Sequence, residues 1–210
     1  NMKLERENVI VFAGDSTTNA GKSTATNGLG DGYVKMVNNA LNAFCPQNLY
    51  TIVNAGVDGD QSSDLLSRWD SDVIAYHPTV IFCMIGINDV WRHFDCVDMT
   101  TKRNGLKEYE DNLEAMCEKS KGVPRFIFML PFFMESNQAD EMRIMTGQYA
   151  DVMRRVAKKH GYPVLDTQAV FDEYMMSRSG QTICCDRVHP QQIGSALLSR
   201  LILKALEVFD

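Results

Sequence analysis

The sequence of 210 residues lacks the features that mark several other classes of protein. It holds no run of eighteen apolar residues, so we expect no membrane-spanning helix. The residues after Met2 hold no apolar segment typical of a secretory signal, and we therefore expect a cytoplasmic protein. No block of like charge is long enough to form a tail, and the net charge is −6. This charge argues against nucleic acid and anionic membranes as partners.

The six cysteines form no Cys-x-x-Cys pair, and nothing in the sequence indicates a secretory context. Reduced thiols are therefore expected, rather than a disulfide framework. Cys184 and Cys185 are adjacent, and we interpret them as small residues that pack near a loop, with a redox role left open. No group of His, Cys and Asp residues has the spacing of metal ligands, so the sequence predicts neither a metal nor a cofactor.

The sequence does contain short apolar runs that alternate with helical patterns. Runs typical of buried strands lie at about residues 9–14, 50–53, 80–85, 126–130 and 163–165. Helical patterns lie at about residues 31–43, 62–74, 109–117, 142–156, 171–175 and 191–208, and Ser62 or Ser63 is a candidate cap for the second of them. Such alternation predicts a parallel sheet covered on both faces. We expect one α/β domain over residues 1–210, a three-layer α/β/α sandwich of about five strands.

Polar residues that follow the predicted strands are expected to meet at one edge of the sheet, because ligands bind outside the carboxyl ends of strands in such folds. Ser16 follows the first strand, Gly59 the second and Asn88 the third. Asp166 follows the last strand. A serine with glycines and an amide around it is a candidate nucleophile.

A serine hydroxyl needs a neighbouring imidazole to take its proton, and the imidazole needs a carboxylate to orient it. Two histidines precede strands and would lie at the wrong edge, namely His77 and His160. His93 follows the third strand and stays a candidate. His189 is the stronger candidate, because Asp186 stands three residues before it.

Four short blocks in this order resemble the signature blocks of the SGNH (GDSL) hydrolase superfamily. The blocks are Gly14-Asp15-Ser16, Asn54-x-Gly56-x-x-Gly59, Gly86-x-Asn88-Asp89 and Asp186-x-x-His189-Pro190. The resemblance implies Ser16 as nucleophile, His189 as general base and Asp186 as its orienting acid. It also implies an oxyanion hole made by the backbone N–H groups of Ser16 and Gly59 and the side-chain amide of Asn88, and a flavodoxin-like strand order.

Neighbouring residues complete the predicted site. We interpret Asp15 and Asp89 as residues whose carboxyl groups form hydrogen bonds next to the site. Trp91 and Arg92 are candidates for the wall of an acyl or alcohol pocket, although a half-buried tryptophan beside a surface arginine fits the sequence nearly as well. The acidic segment around Gly59 disfavours an anionic substrate. Thr17 departs from the family pattern, which often has an aliphatic residue there.

Two other classes of protein are weighed against the hydrolase. The segment 21–24, Gly-Lys-Ser-Thr, looks like the end of a phosphate-binding loop, but six residues rather than four separate Gly14 from Gly21. The glycine-rich segment after it is a poor start for the helix that such a loop requires. A binding module without catalysis is disfavoured, because the catalytic positions are filled. An α/β-hydrolase fits less well, since no serine lies in a Gly-x-Ser-x-Gly elbow.

We therefore predict a metal-independent serine esterase that acts through an acyl-enzyme on a small-molecule ester. The polar segment from Arg92 to Gly105, part of an expected loop over residues 90–105, suits a hydroxylated alcohol better than a lipid tail. An acetylated sugar is accordingly the favoured substrate, with a lysophospholipase or thioesterase as the alternative. The sequence leaves the oligomeric state open.

Overall fold

Five parallel strands form the sheet in the order β2-β1-β3-β4-β5. The computed structural model describes residues 4–95, 100 and 102–208. The strands are β1 (Glu7–Gly14), β2 (Leu49–Gly56), β3 (Val80–Met84), β4 (Arg125–Met129) and β5 (Val164–Leu165). The predicted number of strands and the flavodoxin-like order are confirmed.

Nine helices of the described chain connect and cover these strands. They are α1 (Ser16–Asn19), α2 (Tyr33–Phe44), α3 (Ser62–Ser67), α4 (Trp69–Asp72), α5 (Ile87–Trp91), α6 (Leu106–Lys119), α7 (Glu141–His160), α8 (Thr167–Met175) and α9 (Gln192–Ala205). Within the described residues, no helix is both long enough and apolar enough to cross a bilayer.

Alternate residues of each strand point into two separate apolar layers, as the two-residue period of a strand requires. On β1, Val11 and Ala13 pack with α3, α4, α6 and α7, whereas Ile10 and Phe12 pack with α2 and α9. All four side chains are fully buried. The continuous apolar runs of the sequence are explained by this burial on both faces. The predicted three-layer arrangement is therefore present.

Two sequence expectations are corrected. The helical pattern at 62–74 is divided into α3, α4 and a 3₁₀ turn at Ile74–Tyr76. The cap of α3 is Gln61, whose backbone N–H donates to Asp64, and not Ser62 or Ser63. Ser62 instead binds a buried carboxyl group: its backbone N–H and its hydroxyl both donate hydrogen bonds to Asp89.

The segment predicted as a loop at residues 90–105 begins inside α5, which extends to Trp91. Residues 96–99 and 101 of that segment lie outside the described residues. Further along, Arg103 donates from Nε to the backbone oxygen of Arg92 at 2.7 Å. Part of the segment is thus tied back to the end of α5.

The register of the sheet brings the carboxyl ends of β2, β1 and β3 to the same level. Gly14 at the end of β1 pairs with Gly56 of β2 and with Met84 of β3. The residues that follow each strand therefore emerge side by side at the carboxyl edge of the sheet.

Candidate active site

Ser16 lies where β1 turns directly into α1. A Cβ on Gly14 would lie 2.5 Å from the backbone oxygen of Met84, so only glycine allows this close approach of strands. Asp15 caps α1 by accepting a hydrogen bond from the backbone N–H of Thr17 at 3.0 Å. Ser16 is the first residue of the helix. Its hydroxyl is therefore presented at the carboxyl edge of the sheet.

His189 is brought to Ser16 by the loop that precedes α9. The Oγ of Ser16 lies 2.7 Å from Nε2 of His189, and Nδ1 of His189 lies 2.6 Å from Oδ2 of Asp186. One ring nitrogen thus faces the hydroxyl and the other faces the carboxylate. This arrangement can take the proton of the serine while the carboxylate holds the imidazole in place.

The carboxylate of Asp186 is held by its own loop. Its Oδ1 accepts hydrogen bonds from the backbone N–H groups of Val188 and His189, at 3.0 and 2.9 Å, and from the thiol of Cys184 at 3.1 Å. Partial burial raises the pKa of Asp186, but the hydrogen bonds from His189 and the backbone outweigh burial and hold this pKa well below its usual range. The residue is therefore ionised at neutral pH.

The two adjacent cysteines have different environments. Cys184 is buried and its hydrogen bond reaches Asp186, whereas Cys185 is exposed. Burial raises the pKa of the Cys184 thiol to about 12, and the neighbouring carboxylate adds to this effect. Cys184 is thus a protonated donor at neutral pH. The sequence analysis expected both cysteines to pack near a loop, and this expectation holds for Cys184 but is wrong for Cys185.

Asn88 lies at the start of α5, buried with 2% of its surface exposed. Its Nδ2 donates to the backbone oxygen of Asp60 at 3.0 Å, and its Oδ1 accepts from Nη2 of Arg92 at 3.3 Å. These two contacts fix the orientation of the amide. Because an amide nitrogen carries two hydrogens, a second N–H can serve a ligand.

Gly59 lies in the turn after β2 with a φ of +80°, a conformation that glycine adopts without strain. A cavity of about 520 Å³ joins this turn to the serine, the histidine and the amide. The cavity is lined by Ser16, Thr17, Ala20, Asp58, Gly59, Asn88, Trp91, Arg92, His189, Pro190 and Ser195.

Two basic side chains that the sequence did not assign to the site hold the ends of β1 and β2. Nζ of Lys22 donates to the backbone oxygens of Asn54 and Gly56, at 2.9 and 2.6 Å. Arg68 donates to the backbone oxygens of Gly14 and Ala55, at 3.1 and 2.8 Å. Both cations compensate the carbonyl groups that gather where parallel strands end. The sequence drew attention to Lys22 only as part of a segment that resembles a phosphate-binding loop, which is a different role. No local sequence pattern indicated a role for Arg68.

Two buried carboxyls support the strand ends. Asp15 is 2% exposed, and burial raises its pKa to about 7, although the N–H of Thr17 and the charge of His189 oppose this shift. Asp89 is fully buried, and burial raises its pKa to about 6 against the hydrogen bonds from Ser62 and Asn104. Asp89 therefore connects α5 to α3. Asp89 is not among the residues that line the cavity.

The other candidate acids and bases lie elsewhere. Nε2 of His93 lies 3.3 Å from the backbone oxygen of Asn104, and His160 pairs with Glu114 at 2.6 Å. His77 follows the 3₁₀ turn ahead of β3. Asp166 caps α8 and pairs with Arg154 at 2.8 Å. Of the candidates weighed, His189 and Asp186 are the pair that reaches Ser16.

Comparison with known proteins agrees with this geometry. The profile of the GDSL-like lipase/acylhydrolase family matches residues 12–197. An acetylxylan esterase of Geobacillus stearothermophilus is 36% identical over 98% of this chain and 96% of its own length. A crystal structure of LAE5, an α/β hydrolase enzyme from the metagenome of Lake Arreo in Spain, superposes with a TM-score of 0.94 at 35% identity over 100% of both chains.

Solved structures of the Geobacillus stearothermophilus esterase include catalytic mutants. One of them, with a serine replaced by alanine, superposes with a TM-score of 0.93 at 36% identity and covers 98% of this chain and 96% of that one. Two others replace an aspartate and a histidine whose spacing is that of Asp186 and His189.

Proposed function

The chain belongs to the GDSL-like lipase/acylhydrolase family of ester hydrolases, and from this premise we propose that it removes acetyl groups from carbohydrate through an acyl-enzyme on Ser16. The observation that carries the proposal is the continuous contact from Ser16 through His189 to Asp186, beside a cavity that Gly59 and Asn88 also line.

In the proposed acylation step, Ser16 Oγ attacks the acetyl carbonyl while Nε2 of His189 takes its proton. Asp186 stays ionised, holds the imidazole and stabilises its cation. The carbonyl oxygen becomes negative in the tetrahedral intermediate and receives hydrogen bonds from the backbone N–H groups of Ser16 and Gly59 and from Asn88. The ester C–O bond then breaks, and His189 returns the proton to the alcohol oxygen.

Deacylation repeats these roles with water in place of the alcohol. His189 takes a proton from the water as the water oxygen attacks the acetyl-serine. The proton then passes to Ser16 Oγ as the acyl C–O bond breaks, and acetic acid leaves and ionises to acetate in solvent. The same three oxyanion donors serve both steps. Each step therefore needs one base and one oxyanion site.

The choice of an acetylated sugar is supported by the relative, an acetylxylan esterase with similarity over nearly the whole chain. The cavity wall also carries polar groups, among them Asp58 and Arg92, that can bond to hydroxyl groups. The lipid alternative has less support, because this relative is an acetylxylan esterase.

An acyl-chain series on one alcohol tests this proposal. Acetyl and propionyl esters should be hydrolysed faster than the octanoyl ester, and acetylated xylose should be deacetylated with release of acetate. The control is the Ser16→Ala variant, which should release no acetate above the buffer rate. A rate optimum at eight carbons or more would favour the lipid alternative.

A further inference from the structure

Two groups of residues on the wall of the active-site cavity differ in chemistry. The first is His189, Trp91 and Arg92: the Trp91 and His189 rings are 5.8 Å apart, and the Arg92 guanidinium lies 5.7 Å from the centre of the Trp91 ring. The second consists of small side chains, Thr17, Ala20 and Ser195. Gly32 lies behind them, because a Cβ built on it would lie 2.7 Å from the Cβ of Ala20 and 3.5 Å from Oγ of Ser195.

The path of the proton indicates which group of wall residues faces the alcohol. In the proposed reaction the leaving oxygen receives its proton from Nε2 of His189, so this oxygen must lie within hydrogen-bond distance of that atom. The rest of the alcohol extends from the same oxygen. Trp91 is an aromatic neighbour of His189, so a sugar ring bonded to that oxygen can pack against Trp91.

We propose that Trp91 and Arg92 form the sugar subsite of this enzyme, and that Thr17, Ala20 and Ser195 enclose the acetyl methyl group. This inference rests on the proposed function and assigns the pocket wall that the sequence left open between acyl and alcohol.

The residues suit a sugar ring. A pyranose presents one face of C–H groups, which packs on the flat indole, and a rim of hydroxyls, which need donors and acceptors. The guanidinium of Arg92 carries five N–H donors, and its bonds to Asp95 and Asn88 use two of them. The carboxylate of Asp58, also on the cavity wall, can accept from a hydroxyl. Arg92 is held in place by Asp95, by the Trp91 ring and by Arg103 through its backbone oxygen.

A comparison of two acetyl esters tests the assignment. Acetylated xylose carries the ring, whereas vinyl acetate has the same acyl group and no ring. In Trp91→Ala the ratio of kcat/KM for acetylated xylose to kcat/KM for vinyl acetate should fall about tenfold, the scale of one aromatic contact. Trp91→Phe, which keeps a flat ring, should recover most of the ratio. Tyr76→Ala, which truncates an exposed aromatic residue, is the control and should leave the ratio unchanged.

The outcomes separate the two proposals. If wild-type enzyme cleaves vinyl acetate but not acetylated xylose, the proposed function is wrong and the sugar subsite with it. If wild-type enzyme cleaves both and Trp91→Ala lowers both kcat/KM values by one factor, Trp91 merely supports His189 and the subsite is wrong. An unchanged ratio with unchanged rates would overturn the subsite as well.

Discussion

Ser16 and Asn88 lie at the ends of buried strands, whereas Asp186 and His189 lie in a loop ahead of α9. We call these the strand side and the loop side of the site. On the strand side, Asn88 is 2% exposed and its contacts reach Asp60, 28 residues away in sequence. On the loop side, the Asp186 and His189 side chains are 37% and 43% exposed. Apart from the contact with Ser16, their hydrogen bonds stay between residues 184 and 189.

This difference predicts that substitutions on the two sides of the site affect activity and stability differently. Changes at Asp186 and His189 remove partly exposed side chains whose hydrogen bonds, apart from the contact with Ser16, are local, so they should lower the rate with little loss of stability. Changes on the strand side remove buried hydrogen bonds between distant segments, so they should lower both. The predictions below test this contrast, from the largest expected effect on the rate to the smallest.

The loop side should show the largest loss of rate. His189→Ala should lower kcat by about 10⁶-fold, because it removes the base. Asp186→Asn should cost less, about 10⁴-fold, because the acid orients the imidazole and does not transfer the proton. Both variants should melt within a few degrees of the wild type, as measured by circular dichroism. Asp166→Asn is the matched control and should keep full activity, since asparagine can still cap α8. Wild-type activity in Asp186→Asn would contradict the assignment of Asp186 as the orienting acid.

The strand side should show a smaller loss of rate and a clearer loss of stability. Asn88→Ala removes an oxyanion donor, so kcat should fall by about 10²–10³-fold while KM stays nearly unchanged. The variant should also melt at a lower temperature, because it loses the buried hydrogen bond to the Asp60 backbone. Asn39→Ala, at an exposed position of α2, controls for the loss of an amide. A raised KM with an unchanged kcat would mean that Asn88 binds substrate and not the oxyanion.

A substitution of Lys22 tests whether the side chains that hold the strand ends affect the reaction rate. Lys22→Met keeps the aliphatic stem but leaves the backbone oxygens of Asn54 and Gly56 without their donor. The turn that carries Gly59 should then be less well placed, and kcat should fall about tenfold with KM nearly unchanged. Lys35→Met, which removes an exposed lysine paired with Asp31, should behave as the wild type. If Lys22→Met loses stability but keeps its kcat, Lys22 supports the fold alone.

Asp15 should affect the pH dependence of stability more than the rate. Burial raises its pKa to about 7 in the folded state, against about 3.9 in the unfolded chain. Between these values the folded state binds more protons than the unfolded state. The contribution of Asp15 is therefore full below pH 4 and is lost as the pH rises through 7, at up to about 1.4 kcal/mol per pH unit.

Chemical denaturation of Asp15→Asn at pH 5 and pH 8 measures this effect. Asparagine resembles the protonated acid and can still cap α1, so the variant should lose less stability than the wild type between the two pH values, with kcat within a few-fold. Asp70→Asn, an exposed acid in α4, is the control and should follow the wild type. An unchanged pH dependence in Asp15→Asn would show that Asp15 is not the group that titrates.

Much of the fold could be predicted because its signals are local. The strands β1, β3 and β4 are buried on both faces, so they appear as continuous apolar runs. The carboxyl-edge rule then placed Ser16, Gly59 and Asn88 together. The assignment of residues 1–210 to one domain, the absence of a cofactor and a cytoplasmic location stay predictions.

The parts that were wrong or missed depend on contacts between distant segments. The break between α3 and α4 occurs at Arg68, whose guanidinium reaches the ends of β1 and β2. Serine is a residue type that commonly caps helices, yet the hydroxyl of Ser62 donates a hydrogen bond to Asp89, 27 residues away in sequence. Lys22 reaches carbonyl groups more than 30 residues away. No local pattern contains these partners, so only the folded chain identifies them.

The central claim is that Ser16 is the nucleophile, and covalent labelling tests it most directly. A fluorophosphonate should modify the wild-type protein once, at Ser16, with a parallel loss of esterase activity, as shown by mass spectrometry of the intact protein and its peptides. Ser16→Ala, folded by circular dichroism, should take up no label and hydrolyse no ester. Labelling or turnover that persists in Ser16→Ala would place the nucleophile on another residue and contradict the account.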